Sequence, residues 1–263
     1  PILTPNNGVR IYLNGDQEGH AIEDYVSNSG VDRAAVVYEN NMLGQSNKQY
    51  LLYLFTGNHG IFTTSEDYSA GETDFTLLGQ AMMRVNSGAL VLIGNGPEYS
   101  KILQSFEAAG WKGIVLGYAG VGGLATVTGQ GKLAAEAAYP LPDFATDPRG
   151  TLAGSAFEDA YHAKFGANPD LPAAYAFDNI HALADAAKQA TSIDPTKIRA
   201  AFIAMQTYTG AVGRYEIKDD GDTDMPLRLW RQDGQALSQP TSKTQSAPTP
   251  SDIKNLPTPE LTR

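Results

Sequence analysis

Apolar residues along the chain gather into short runs set between longer stretches of mixed polarity. Arg33-Ala-Ala-Val-Val-Tyr38 is such a run, closed by Glu39-Asn40-Asn41 and a turn at Gly44. A run of that length between turn signals predicts a buried strand. A helical stretch follows to about Phe55, and Gly60-Ile-Phe-Thr-Thr64 predicts a second strand. Thr73 or Asp74 then stands where a cap belongs, before a helix running to Arg84. Ala89-Leu-Val-Leu-Ile93 is the clearest strand, and Gly94-Asn95-Gly96-Pro97 leads from it into a helix ending at Gly110. Ile114-Val-Leu116 is the next strand, closed by Gly117-Tyr118-Ala119-Gly120. Strands and helices alternating at this spacing imply right-handed βαβ units and a parallel sheet.

Beyond Pro140 the pattern changes. Pro140, Pro142 and Pro148 mark a connector, and helical stretches follow over 152–165, 173–190 and 195–205, the last behind Asp194. No strand separates these helices, so another layer must cover their apolar faces. Gly213–Ile217 and Leu227–Arg231 predict two strands joined through Asp219-Asp-Gly-Asp222. From Ser238 the chain is rich in Ser, Thr, Gln and Pro and reads as a tail or linker. The expected organisation is a hinge strand with a Rossmann-like lobe over 1–142, a helical part with hinge strands over 143–237, and a tail over 238–263.

Composition narrows the functional classes. The chain has 263 residues, 42% of them hydrophobic, and a net charge of −10. An acidic surface repels phosphate backbones, so nucleic acid is not an expected partner. The absence of cysteine removes thiol catalysis and Cys-ligated zinc. No run approaches the ~20 apolar residues of a membrane-spanning helix. The four histidines, His20, His59, His162 and His181, are scattered without triad or ligand spacing. The acids Asp219, Asp220, Asp222 and Asp224 fail the alternate spacing of an EF-hand loop, and a solvated turn is expected there. Gly94-x-Gly96 lacks the third glycine of a dinucleotide fingerprint, and no phosphate loop or nucleophile elbow is present. No enzyme, catalytic residue, cofactor or metal is therefore expected.

Several motifs carry a resemblance. Val36-Val-Tyr-Glu-Asn-Asn-Met-Leu-Gly44 resembles the strand and Tyr-Gly turn of type I periplasmic solute-binding proteins, with Leu43 where the family often has Tyr. Tyr68-Ser-Ala-Gly-Glu-Thr-Asp-Phe75 is similar to their Gly-x-Thr-Asp-Phe stretch, and Gln104–Gly110 to their Ala-Gly helix end. Phe157–Gly166, Ala174–Asp178, Tyr208–Gly213 and Asp220-Gly-Asp222 follow in family order. Val9–Gly19 resembles the family's first crossover and the helix after it. The chain is thus identified as a member of the branched-chain amino-acid receptor type, without the family's opening half-lobe.

That resemblance implies an α/β fold with a doubly wound parallel sheet and a helical second part. It implies capture of a small polar solute, amino-acid-like or an amide or carboxylate, in an interlobe cleft outside the cytoplasm or in the periplasm. An ABC transporter permease is the implied partner. Within such a sheet the cleft lies at the carboxyl ends of strands. The candidate ligand-binding residues are Asn41, Leu43, Asn95, Gly96, Glu98, Tyr118 and Ala119. Ala119 stands where amino-acid binders place a carboxylate for the ligand's ammonium, which argues against a free amino acid. Turn chemistry alone also accounts for the Gly and Asn residues. A sensor or protein-interaction module of the same fold is the alternative. Helix faces left bare by a missing half-lobe would promote self-association.

Overall fold

A computed structural model describes residues 8–58, 60–120 and 129–238. His59 and nearly all of the expected tail lie outside them.

Gly15–Asn28 (α1) is followed by Arg33–Glu39 (β1), Met42–Asn58 (α2) and Phe62–Tyr68 (β2). Thr76–Met83 (α3), Ala89–Ile93 (β3), Tyr99–Ala108 (α4) and Ile114–Gly117 (β4) continue the alternation. Lys132–Glu136 (α5) and Ala138–Leu141 (β5) complete it. All five strands run parallel, in the order β2-β1-β3-β4-β5. Ala34–Val37 and all of β3 are buried. A parallel sheet covered by helices on both faces demands such unbroken apolar strands. Ile22 and Val26 of α1 and Leu51 and Phe55 of α2 cover the face carrying Ala34, Val36, Val91 and Ile93. Met82 of α3 and Ile102, Leu103 and Phe106 of α4 cover the opposite face, with Ala35, Val37, Leu90 and Leu92. Each fully buried Val, Leu or Ile contributes roughly 1.5–3 kcal/mol.

β2 lies later than the apolar signal of residues 60–64 because it is an edge strand. Its Thr-Thr-Ser-Glu-Asp centre is partly or fully exposed, so no apolar run marks it. The N-cap of the following helix is Phe75, not Thr73 or Asp74; Asp74 stands just before it, its Oδ1 accepting from the Thr76 N–H at 3.0 Å. The expected connector at Pro140 is instead β5. Only Leu116 and Ala138 pair across β4 and β5, so β4 asks no donor of Pro140.

The second part holds Leu152–Phe165 (α6), Leu171–Ala190 (α7) and Pro195–Ala204 (α8), as the sequence implies. Thr151, Asp170 and Asp194 cap them through their side chains, each cap being worth about 1 kcal/mol. Thr207–Thr209 (β6), Arg214–Ile217 (β7) and Thr223–Asp224 (β8) form a small antiparallel sheet. The final strand, Arg228–Arg231 (β9), does not pair with β7. It returns to the large sheet, antiparallel to β5. Phe165, Phe177, Ile180 and Leu183 on α6 and α7 are exposed, and they are the faces on which an expectation of self-association rests.

Residues 8–14, 142–151 and 218–227 link the two parts. Asp222 is buried, not part of a solvated turn, and forms an ion pair with Arg10. Arg10 Nε donates to Asp222 Oδ1 at 2.8 Å, the Arg10 N–H to Gly221 O at 2.9 Å, and Thr223 Oγ1 to Arg10 O at 3.0 Å. The first and third links are thereby zipped together.

Within the second part Asp178, wholly buried on α7, organises the turn between β6 and β7. Its carboxylate accepts the Ala211 N–H at 2.6 Å, the Val212 N–H at 3.0 Å and the Tyr215 hydroxyl at 2.7 Å. A Cβ on Gly210 would lie 2.3 Å from Asp178 Cγ, so only glycine fits. Gly210→Ala is expected to destabilise the protein by about 1–3 kcal/mol through this overlap. Urea denaturation measures it, and an unchanged midpoint would remove the steric argument.

Candidate functional site

The winding of the sheet reverses between β1 and β3. From β1 the chain moves outward to β2 through α2, then crosses back over β1 to β3 and proceeds to β4. Loops leaving the carboxyl ends of β1 and β3 therefore diverge and open a crevice. The residues at that crevice follow from strand alternation. Ala35 and Val37 face α3 and α4, so Glu39 ends β1 on the same face.

Glu39 is buried at 7% exposure. Its Oε2 accepts from the Asn95 backbone N–H at 3.3 Å and from Asn95 Nδ2 at 3.2 Å. Asn95 belongs to the loop after β3, so this carboxylate ties the two diverging loops together. Tyr68, last residue of β2, has its hydroxyl beside them. A Cβ on Gly94 would lie 2.1 Å from Tyr68 Oη and 3.3 Å from Glu39 Oε2, so both groups border the bare Gly94 Cα. The Tyr68 hydroxyl is buried without a hydrogen-bond partner among the described residues. An orphaned buried hydroxyl costs about 1–3 kcal/mol. Burial pushes this phenol well above its ordinary range, and the Glu39 and Glu98 charges push it the same way. Glu98 stands at the start of α4, and its Oε1 accepts the Gly71 N–H from the loop after β2 at 2.8 Å.

A third carboxyl closes the row. Glu18 projects from α1, and its Oε1 accepts the Ala119 N–H just beyond β4 at 2.7 Å. Its burial pushes the pKa from 4.5 to about 8, against the opposing effect of that one hydrogen bond. Burial raises the phenols of Tyr12, Tyr99, Tyr118 and Tyr175, and the nearby Glu18 carboxyl pushes each the same way. Tyr12 lies on the first link and Tyr175 on α7, so Glu18 sits where the two parts meet.

The candidates from sequence distribute as follows. Asn95 and Glu98 come together with Glu39 and Tyr68. Gly96 is buried at φ 98°, and its carbonyl accepts the Tyr99 N–H at 3.0 Å, opening α4. Asn41 Oδ1 accepts the Gly44 N–H at 2.7 Å and so starts α2, and Leu43 is exposed beside it. Ala119 contributes its backbone N–H to Glu18. Tyr118 is not at the crevice by its side chain, which is buried in the core under α1 and α2. Sequence reasoning passed over Glu18, Glu39 and Tyr68. Glu18 had left a signal, an acid in the apolar stripe it shares with Ile22 and Val26 at helical spacing.

A pocket of about 390 Å³ lies elsewhere, between α1, α2 and the third link. Its charged and polar groups are partly satisfied among themselves. Lys218 pairs with Asp224 at 2.6 Å, and Tyr50 Oη lies 2.9 Å from His20 Nε2. No strand of the large sheet other than β9 contributes to it. The strand-end crevice is the better candidate because it has the reversal, the buried carboxylate and the orphaned hydroxyl at one place.

A doubly wound parallel sheet with its winding reversed between β1 and β3, followed by a helical part, defines an α/β class. The chain belongs to the periplasmic binding protein family, whose model matches residues 4–236. It is 25% identical over 218 residues to a Leu/Ile/Val-binding protein homolog 1 of Brucella abortus, covering 80% of this chain and 56% of that relative. The fold is similar to that of a leucine binding protein, LivK, of Thermotoga maritima. That likeness has a TM-score of 0.74 at 21% identity, over 87% of this chain and 65% of that one. An ABC transporter solute-binding protein of R. palustris in complex with benzoate also matches. Its TM-score is 0.68 at 16% identity, over 85% of this chain and 62% of that one. The chain thus spans 56% of the length of the curated relative and 65% of the LivK structure.

Glu18 generates a pH dependence of known sign. Between 4.5 and about 8 the folded state holds a proton that the unfolded chain has released. Stability therefore falls as pH rises through that window. Glu18→Gln keeps the acceptor for Ala119 and removes the titration. The variant is expected to gain about 5 °C in Tm over the natural chain at about pH 8.5 and almost nothing at about pH 5. Calorimetry that gave a constant Tm difference across this range would show that the Glu18 carboxyl titrates normally.

Proposed function

We propose that this chain is the solute-capturing part of an extracytoplasmic receptor for an ABC transporter. It binds a small polar molecule at the ends of β1, β3 and β4 and presents the bound form to a membrane permease. The crevice at the β1–β3 reversal carries this reading, since Glu39 and Tyr68 from the ends of β1 and β2 converge there with Asn95 and Glu98 from the β3–α4 connection. Membership of the periplasmic binding protein family supports it. So do the relatives, which include a leucine binding protein and a protein in complex with benzoate. The family's members are binding proteins, which fits a chain that performs no catalysis. The three linking segments supply a hinge, and closure would follow from solute contacts to both parts.

A second reading is a protein-interaction module of the same fold. Exposed Phe165, Ile180 and Leu183 on the helical part favour it.

Thermal denaturation in a panel of amino acids, amides, amines and aromatic acids separates the two. A solute at about 100 times its Kd adds about 2.7 kcal/mol, which in a chain of this size raises Tm by about 5–10 °C. At least one solute of the panel is expected to do so. A flat panel would sink solute capture and leave the interaction module.

A further inference from the structure

The chemistry of the crevice points beyond a generic polar solute. The loops that line it carry carboxylates and a phenol, and each carboxylate is only half used. Glu39 commits Oε2 to Asn95, while its Oε1 accepts no hydrogen bond among the described residues. Glu98 commits Oε1 to Gly71, and its Oε2 likewise accepts none. Between them stands the Tyr68 hydroxyl, on a side chain only 2% exposed and with no partner. The absence of a side chain at Gly94 lets this hydroxyl pack against its bare Cα.

No lysine or arginine of the described residues balances this edge. Lys101 follows Glu98 by three residues on α4 and forms no ion pair with it among the described residues, and Lys48 of α2 lies over the Tyr38 ring at 4.8 Å. Tyr38 packs with the α1–α2 core, so that cation is on the opposite face of β1 from Glu39. A ligand carboxylate placed here would meet like charges and an acceptor-rich wall. An ammonium has three N–H donors and no acceptor. It would find three matching acceptors in Glu39 Oε1, Glu98 Oε2 and Tyr68 Oη.

We propose that the solute of this site is an organic cation, held by an ammonium or amidinium head between Glu39, Glu98 and the Tyr68 hydroxyl. This rests on the reading of the crevice as a solute site. It also changes the bearing of Ala119. A counter-charge absent after β4 is supplied after β1 and at the start of α4. The remainder of the solute extends from this head toward the second part.

Matched probes sharing one ring test the head group alone. Benzylamine, benzamidine, benzamide and benzoate are titrated calorimetrically into the full chain, with leucine alongside. The two cations are expected to bind at least about ten-fold more tightly than benzoate, since one lost charge-assisted contact is worth about that factor. Their affinity is expected to fall as salt is added. Glu39→Gln and Glu98→Gln should each weaken benzylamine by about ten-fold and leave benzamide nearly unchanged. Glu98 is half-exposed, so its variant serves even if loss of the Glu39 charge disturbs the β3 loop, and circular dichroism checks both folds. Tyr68→Phe should weaken the cations by a smaller factor.

Benzoate or leucine binding as tightly as the amines, with no dependence on Glu39 and Glu98, would overturn the cationic head while leaving solute capture intact. Amine binding that survives both glutamine substitutions would overturn the placement. Silence from every probe, together with a flat thermal panel, would remove the solute site itself and this proposal with it.

Discussion

The parallel pairing of β1 with β3, side by side yet wound in opposite directions, is the constraint on which the site depends. Parallel strands cannot be joined by tight turns, so every connection must travel over a face of the sheet. Here α2 leaves over one face and α3 and α4 return over the other. Loops at the carboxyl ends of β1 and β3 consequently part company, and nothing of the sheet fills the space between them. The unbroken apolar character of Ala34–Val37 and Ala89–Ile93 holds the two strands in register from Ala34 opposite Ala89 to Tyr38 opposite Ile93. A polar residue within either strand would loosen the frame. Just past its end, a polar residue meets the crevice.

The second part shares a buried apolar cluster with this frame, and polar contacts fasten the links in addition. Arg10 and Asp222 lie on separate links, and their ion pair is backed by two backbone contacts between the same segments. Breaking one partner of a partly buried pair leaves an uncompensated charge, which costs more than the pair itself contributes. Asn179 adds a tie from α7, its Nδ2 donating to Ile11 O at 2.7 Å. The links are thus held to one another and to the helical part by directional polar contacts.

The sequence made the frame legible and the crevice only partly so. β1, β3 and β4 were visible because burial on both faces forces an apolar run. α6 and α8 were visible because Thr151 and Asp194 are caps of the expected kind. β2 drifted because edge strands need no such run, and β5 was hidden by a proline that its partner strand tolerates. At the site, Asn95 and Glu98 could be placed by position, as the first residues after a strand. Glu39 looked like ordinary turn polarity, and Tyr68 stood only as the start of a family-like stretch. Only the three-dimensional meeting of β1, β2 and β3 reveals that one carries a spare oxygen and the other an orphaned hydroxyl. Tyr118 shows the converse limit, since a residue at a strand end can face either side of the sheet, and its side chain faces the α1–α2 core.

Three carboxyls at strand ends invite a purely structural explanation, and each does satisfy a backbone donor. Glu39 takes the N–H of Asn95, Glu98 that of Gly71, and Glu18 that of Ala119. Loops diverging from a sheet leave donors that no neighbouring strand can meet, and a carboxylate is a strong acceptor for them. An asparagine or glutamine carbonyl oxygen would serve that purpose at no net charge. The choice of glutamate at each of these positions therefore exceeds what loop fixation requires. For Glu18 the excess is muted, because burial keeps its proton on to about pH 8. Glu39 and Glu98 stand near the Tyr68 hydroxyl, which has no partner among the described residues, where the winding of the sheet parts the loops after β1 and β3.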